Sequence, residues 1–212
     1  MPQPSPVLLE PRKTPVQARS AASVDAILEA TVQVLLAVGK ERLTTTRVAQ
    51  RAGVSVGTLY QYFSNKSSLL QAALKRHLEA VTNAVEQVCR EQHGRPLDQM
   101  ATALITAFLD AKMKHPRTSV AMYSVSADVD GAKIARQTGL YSGKTVASML
   151  ASSSDALLTD PTLAATMLIS AMAGVSRRLL ESPAPEKHVE AYRLELIFLA
   201  RAYLQACSRR PH

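Results

Sequence analysis

Residues 44–66 read TTTRVAQRAGVSVGTLYQYFSNK. Thr44 or Thr45 is placed to accept hydrogen bonds from the free backbone amides at the start of a short helix. Val48 and Ala49 give that helix an inward face. Gly53 ends it with a tight turn, because glycine alone meets no steric penalty at positive φ. Ser55 is placed as the N-cap of a second short helix. Leu59 and Phe63 sit four apart on its apolar side. Ser64-Asn65-Lys66 then breaks the run. Two short helices joined by a tight turn, the second with a small polar leading end, make a helix-turn-helix over residues 44–63. That shape presents one helix end-on to base edges while its partner braces on the backbone.

The residue types around the turn fit the surface of a duplex. Ser55, Gly57 and Thr58 keep the leading end small, and Gly57 lets backbone approach DNA closely. Thr44, Tyr60, Tyr62 and Lys66 are candidates for phosphate contacts. The free amides near Thr44 and Ser55 suit the same oxygens. Thr46, Arg47, Val56, Thr58 and Gln61 are candidates for the groove, with Gln61 suited to adenine and Arg47 to guanine. Thr45 completes the hydroxyl run. Each residue has an ordinary alternative: Thr44 and Ser55 as plain caps, Tyr60 as core. The ordered set within 23 positions favours an interface.

Outward from this stretch, the flanks extend the pattern. Residues 1–19 are rich in proline and carry Arg12, Lys13 and Arg19, which predicts a disordered basic arm able to reach phosphates. Val24, Ile27, Leu28, Thr31, Val34 and Leu35 predict a helix over 21–38, stopped at Gly39. The head domain then spans 20–66. The chain carries a formal net charge of +8. Residues 1–76 hold ten Lys or Arg against four acids, so +6 of that charge lies there. A basic N-terminal third suits a polyanion partner.

Residues 67–212 show helical periodicity throughout, with no period-2 alternation and no internal repeat. A long helix runs from Ser67 to about Gln92. Further helices are predicted over 97–115, within 117–130, over 131–153, from Pro161 to about Ser182 and from Pro185 to about Cys207. The fold class is therefore all-α, with about nine helices: a three-helix head and a C-terminal helical domain for effector binding and dimerisation. Met100, Met113, Met122, Tyr123, Tyr141, Met149 and Met167 are candidates to line a pocket, since methionines adapt to varied apolar ligands. The last two helices are apolar nearly all round, which implies burial on both sides. Met172, Val175, Leu196, Leu199 and Tyr203 are candidates for a dimer interface in a four-helix arrangement.

The longest apolar stretch, around Leu163–Val175, is shorter than a membrane-spanning helix requires, and no leader peptide is recognisable. Those readings predict a cytoplasmic protein with no membrane partner. Cys89 and Cys207 have no metal-like neighbours, so neither zinc nor another cofactor is expected. No Gly-rich phosphate loop, HExxH or GxSxG occurs, and Asp128 and Asp130 read as solvated loop acids, so no enzyme is expected.

The stretch TTTRVAQRAGVSVGTLYQYFSNKSSLL resembles the DNA-binding signature of the TetR family of bacterial regulators. The family pattern runs roughly T…IA..AGVS.GTLY.YF..K..L. Thr44, Val48-Ala49, Ala52-Gly53-Val54-Ser55, Gly57-Thr58-Leu59-Tyr60, Tyr62-Phe63, Lys66 and Leu69 occupy those places. Val48 stands where Ile is usual, and Leu35 where an aromatic is common. Val56 fills a position often polar or basic. The resemblance implies a homodimeric, sequence-specific transcriptional regulator. It implies a repressor that leaves its double-stranded operator when a small effector, of unknown identity, moves the two heads apart. The alternatives are an activator, or a helical ligand-binding or interaction protein without DNA binding.

Overall fold

A computed structural model describes residues 15–127 and 129–208, and every regular element among them is helical. The order is α1 (Pro15–Arg42), α2 (Thr45–Ala52), α3 (Val56–Tyr62), α4 (Lys66–Glu91), α5 (Leu97–Met113), α6 (Pro116–Ser126), α7 (Gly131–Ala151), α8 (Pro161–Leu180) and α9 (Pro185–Cys207). Residues 15–19, expected within a disordered arm, are the first turn of α1 instead. Proline is tolerated there because the first amides of a helix have no partner in any case. The rest of the arm, with Arg12 and Lys13, lies outside the described residues. Gly39, with φ 77°, interrupts α1 where a stop was expected.

Local chemistry sets the helix ends. The Asn65 side chain accepts the Ser68 amide while Ser68 Oγ accepts the Asn65 amide, a reciprocal capping box that starts α4. Asp160 Oδ1 accepts the Thr162 amide at 3.0 Å, with Pro161 opening α8.

Two cores hold the chain. The head core contains Ile27, Leu28, Leu43, Val48, Leu59 and Leu69. It also takes in Met122, Val125 and Val129 from α6 and the corner after it. The body core is built on Met100, Leu104, Ile105, Leu109, Met149, Leu150, Leu168 and Leu204. Helix α4 serves both: Leu69, Leu70, Ala73 and Leu74 face the head, whereas Val85, Val88 and Cys89 face the body. The start of α4 and the end of α6 are therefore fastened to the head, chiefly against α1, by buried apolar area, the main source of adhesion between helices.

By length and composition alone, two helices, Ser20–Arg42 and Pro161–Leu180, could cross a membrane. That corrects the shorter limit read around Leu163–Val175. Both contribute an inward face to a core: Ile27, Leu28, Val34 and Leu35 from the first, and Ala164, Ala165, Leu168 and Leu179 from the second.

Candidate nucleic-acid interface

Each short helix of the head is pinned at its start by a hydroxyl three residues upstream of the amide it caps. Thr44 Oγ1 accepts the Arg47 amide at 3.2 Å. Ser55 Oγ accepts the Thr58 amide at 2.9 Å and also meets Thr58 Oγ1 at 2.8 Å. Gly53, at φ 69°, closes α2 and donates to the Ala49 and Gln50 carbonyls. An L-residue there would be strained, so the turn requires glycine. Leu59 is fully buried under α3, and Phe63 is nearly so. Those two side chains fix which face of α3 points outward.

The outward face collects most of the sequence-selected residues. Thr44, Thr46, Arg47, Ser55, Val56, Gly57, Tyr60 and Gln61 are exposed, and Thr45, Thr58, Tyr62 and Lys66 are half-buried. Tyr60 is 49% exposed, so it is not core. Its hydroxyl meets Thr45 Oγ1 at 3.1 Å and ties α3 to α2. Gly57 behaves differently from Gly53. It lies in α3 without positive φ, and a Cβ added to it would meet only Ser55 Oγ, at an ordinary 3.7 Å. Nothing inside the fold demands a glycine at that position.

Two cations selected from the sequence also bond the end of α1. Lys66, read as a phosphate contact, donates from Nζ to the Lys40 carbonyl at 2.8 Å and is part-buried. Arg47, read as a base reader, donates from Nη1 to the Arg42 carbonyl at 2.6 Å. The cause is shared. The last carbonyls of α1 lack helical partners and carry partial negative charge, so nearby cations satisfy them. In this state both residues brace the head.

The expected effector residues do not gather around one space. Met100 and Met149 are fully buried in the body core, and Met113 packs against it. Met122 belongs to the head core instead. Met167 is 52% exposed on α8. Tyr141 and Asp128 lie outside the described side chains and residues. Methionine fills irregular gaps wherever they occur, so its presence does not mark one cavity.

The dimer candidates also divide. Met172 and Leu196 are buried in the protomer's own core, at 2% and 3% exposure, which corrects their placement at an interface. Leu199 is half exposed, and Val175 and Tyr203 are partly buried. Phe198, at 71% exposure, and Leu194, at 60%, are the more exposed apolar residues of α9. A groove of about 680 Å³ between α8 and α9 is lined by Val175, Tyr192, Leu196, Phe198 and Leu199. Cys89 and Cys207 are free and buried, and burial, with Glu86, pushes the Cys89 thiol up to about 12.

The sequence reading named Tyr123 but not the cluster around it. Lys112 of α5 is 7% exposed, and its ammonium lies 5.8 Å from the Phe108 ring centre and 5.2 Å from that of Tyr123. Ser119 Oγ donates to the Lys112 carbonyl at 2.8 Å and meets His77 Nε2 at 3.4 Å. The single hydroxyl proton goes to the carbonyl, so Nε2–H of His77 is the donor in the second contact. Burial, followed by the nearby charges of Lys112 and His115, pushes His77 down to about 4.

Residues 27–73 match the profile described as bacterial regulatory proteins of the tetR family. Residues 96–204, just over half of the chain, match that of the tetracyclin repressor-like C-terminal domain. The chain is similar to the HTH-type transcriptional repressor KstR of Rhodococcus jostii, 35% identical over 97 residues, covering 45% of this chain and 43% of that protein. It spans less than half the length of the curated relatives it matches. The fold is similar to a crystal structure of a transcriptional regulator from Rhodococcus sp. Rha1, at TM-score 0.70 and 22% identity, covering 89% of this chain and all of that one. It is also similar to SmeT, the repressor of the Stenotrophomonas maltophilia multidrug efflux pump SmeDEF, at TM-score 0.65 and 19% identity, covering 87% and 91%. SmeT has also been solved in complex with triclosan. With profiles of one family matching both the head and the body, this chain belongs to the TetR family of bacterial regulatory proteins.

Proposed function

We propose that this protein is a cytoplasmic, non-enzymatic transcriptional repressor that binds a double-stranded operator as a homodimer and is released by a small-molecule effector. The observation that carries this reading is Gly57. A helical glycine costs about 1 kcal/mol relative to alanine, and this one has room for a Cβ. Its value lies outside the fold, where a bare backbone lets α3 approach a groove. The exposed hydroxyls of Thr44, Thr46, Ser55 and Tyr60 ring that end and suit phosphate oxygens. Val56, Thr58 and Gln61 lie at the groove side in this reading. Lys66 also holds α4 to α1, and Arg47 keeps its remaining guanidinium donors for DNA while Nη1 holds the Arg42 carbonyl.

The two-copy assembly rests on α8 and α9. Phe198, Leu199 and Leu194 leave an apolar face in water, and an isologous pairing through them would set two heads on one side of a duplex. The repressor reading follows the similarity to KstR and SmeT.

A gel-shift series with DNA from upstream of the protein's own gene, backed by selection from random duplexes, tests the proposal. Specific binding whose log affinity falls with log salt by roughly 0.9 per neutralised phosphate is expected. Gly57→Arg should abolish it while helix content stays unchanged. Normal operator binding by that variant would sink the docking geometry. A failure to select any sequence would sink the regulator.

A further inference from the structure

Helix α3, VGTLYQY, holds no charged side chain. Base edges differ in what they ask of a reader. Guanine is met most often by Arg or Lys, and cytosine by Asp or Glu, whereas adenine suits Asn or Gln and thymine offers a methyl group. The composition of α3 therefore bears on which base pairs it can tell apart. Val56 is 36% exposed on it and offers only methyl groups. Gly57 beside it is bare and exposed.

The polar handles of the same surface are mostly engaged within the head. Thr58 Oγ1 lies 2.8 Å from Ser55 Oγ, in the cap that also takes the Thr58 amide. With the hydroxyl committed, the methyl of Thr58 is the group left for a base. The Tyr60 hydroxyl meets Thr45 Oγ1 at 3.1 Å. The nearby Arg47 guanidinium belongs to α2, and its Nη1 is braced on the Arg42 carbonyl. Gln61 is different. It is exposed, and its side-chain amide has no partner among the described residues. A single exposed valine is ordinary on a protein surface. Here it accompanies a threonine with a committed hydroxyl, a bare glycine and an open amide, on a helix without a cation.

We propose that α3 reads thymine through its 5-methyl group, with Val56 and the Thr58 methyl as the contact surface, and that the pairs beneath α3 in each operator half-site are A·T. Gln61 adds the adenine side of that code, through N6 and N7 of the base. Bringing a thymine methyl against Val56 and Thr58 removes apolar surface from water on both sides. A G·C pair in that place would lack the methyl. It would also set a cytosine amino group or a guanine carbonyl against apolar atoms, and a polar group left unpaired on burial is costly. Helix α3 has this role only if the protein is a DNA-binding regulator, as proposed.

The test uses the purified full-length protein, with Thr58→Ser and Val56→Ser, on duplexes selected from a random pool. Thr58→Ser keeps a hydroxyl for the Ser55 cap and removes only the methyl. Circular dichroism checks that each variant keeps its helix content. Each thymine of the selected operator is replaced in turn by uracil, which lacks only the 5-methyl group, and affinity is read by fluorescence anisotropy. At one or two thymines in each half-site the unmodified protein should bind uracil roughly fourfold more weakly, the scale of one buried carbon. At those same positions Thr58→Ser or Val56→Ser should scarcely distinguish the two bases. Uracil accepted as well as thymine at every position would overturn the proposal. So would an equal uracil penalty in all three proteins, which would report duplex shape instead. Either result comes from a protein that still selects a sequence, so the regulator would stand while this reading of α3 fell. A pool that yields no preferred sequence would remove both. Should one variant not fold, the other carries the comparison, and the uracil series on the unmodified protein decides if neither does.

Discussion

In the head, the starts of α2, α3 and α4 are each capped by a side chain three residues away, whereas in the body the first amide of α5 is capped from 58 residues away. Thr44 caps Arg47, Ser55 caps Thr58, and Asn65 exchanges bonds with Ser68, all at a separation of three. In the body, Arg193 bonds Asp110 from 83 positions away, and Asp155 Oδ2 accepts the Leu97 amide across 58. Local capping fixes where α2 and α3 begin. The body depends on long-range assembly, so its cavities can change with few substitutions while the head keeps its outline.

The sharpest way to break that comparison lies on α9, where two residues of the body serve opposite purposes. Leu196 and Phe198 are two positions apart, roughly 200° around a helix. Leu196 is sealed in the protomer, and Phe198 is mostly exposed. Leu196→Glu should therefore destabilise the fold by more than about 4 kcal/mol, the range for an unpaired charge in a core. It should give insoluble or unfolded protein. Phe198→Glu should keep the helix content and halve the mass seen in sedimentation equilibrium. If Phe198→Glu stays dimeric, the pairing surface lies elsewhere. A soluble, folded Leu196→Glu would mean that α9 can rotate.

The same contrast explains what was legible before any coordinates. Caps, turn and apolar face of the helix-turn-helix occupy one contiguous stretch, so Thr44, Gly53, Ser55 and Leu59 could be assigned from spacing alone. The all-α class followed from uniform helical periodicity. Which face of α9 turns inward could not be read, because Leu194, Leu196, Phe198 and Leu199 are equally apolar. The bonds of Lys66 and Arg47 to carbonyls of α1 were not legible, because a backbone acceptor leaves no mark in the sequence. His77, Lys112, Ser119 and Tyr123 come from three helices, and no local pattern announces their meeting. Methionines drew attention that their scatter over two cores and an exposed face of α8 does not support.

Acid titration separates the two regions energetically. His77 sits in the body with its imidazole pushed down from 6.5 to about 4. Below pH 6.5 the unfolded chain takes up a proton there that the folded protein refuses until pH 4. Stability should fall across that window and not above it. At about 1.4 kcal/mol for each pH unit, the loss approaches roughly 3 kcal/mol. Urea unfolding at pH 7 and pH 4.5 measures it, with His77→Leu as the reference for other titrating groups. The variant should show a shallower decline through the same window. Equal slopes would mean that His77 is solvated in the native protein.

The smallest stability effect belongs to the head, and its sign is the informative part. Gly53 and Gly57 are four residues apart, but only Gly53 has the positive φ that alanine resists. Gly53→Ala should cost on the order of 1 kcal/mol or more, as expected where a Cβ is forced into the left-handed region. Gly57→Ala should instead add a few tenths to about 1 kcal/mol, because alanine suits a helix and the Cβ meets no obstacle. Operator affinity should move the other way for Gly57→Ala, dropping although the protein is steadier. Chemical denaturation and a gel shift on the same preparation check both signs together. A residue kept for DNA, at the expense of its own helix, must show that opposition. If stability and affinity rise together, Gly57 faces nothing but water, and the approach of α3 to a groove has to be drawn from another side.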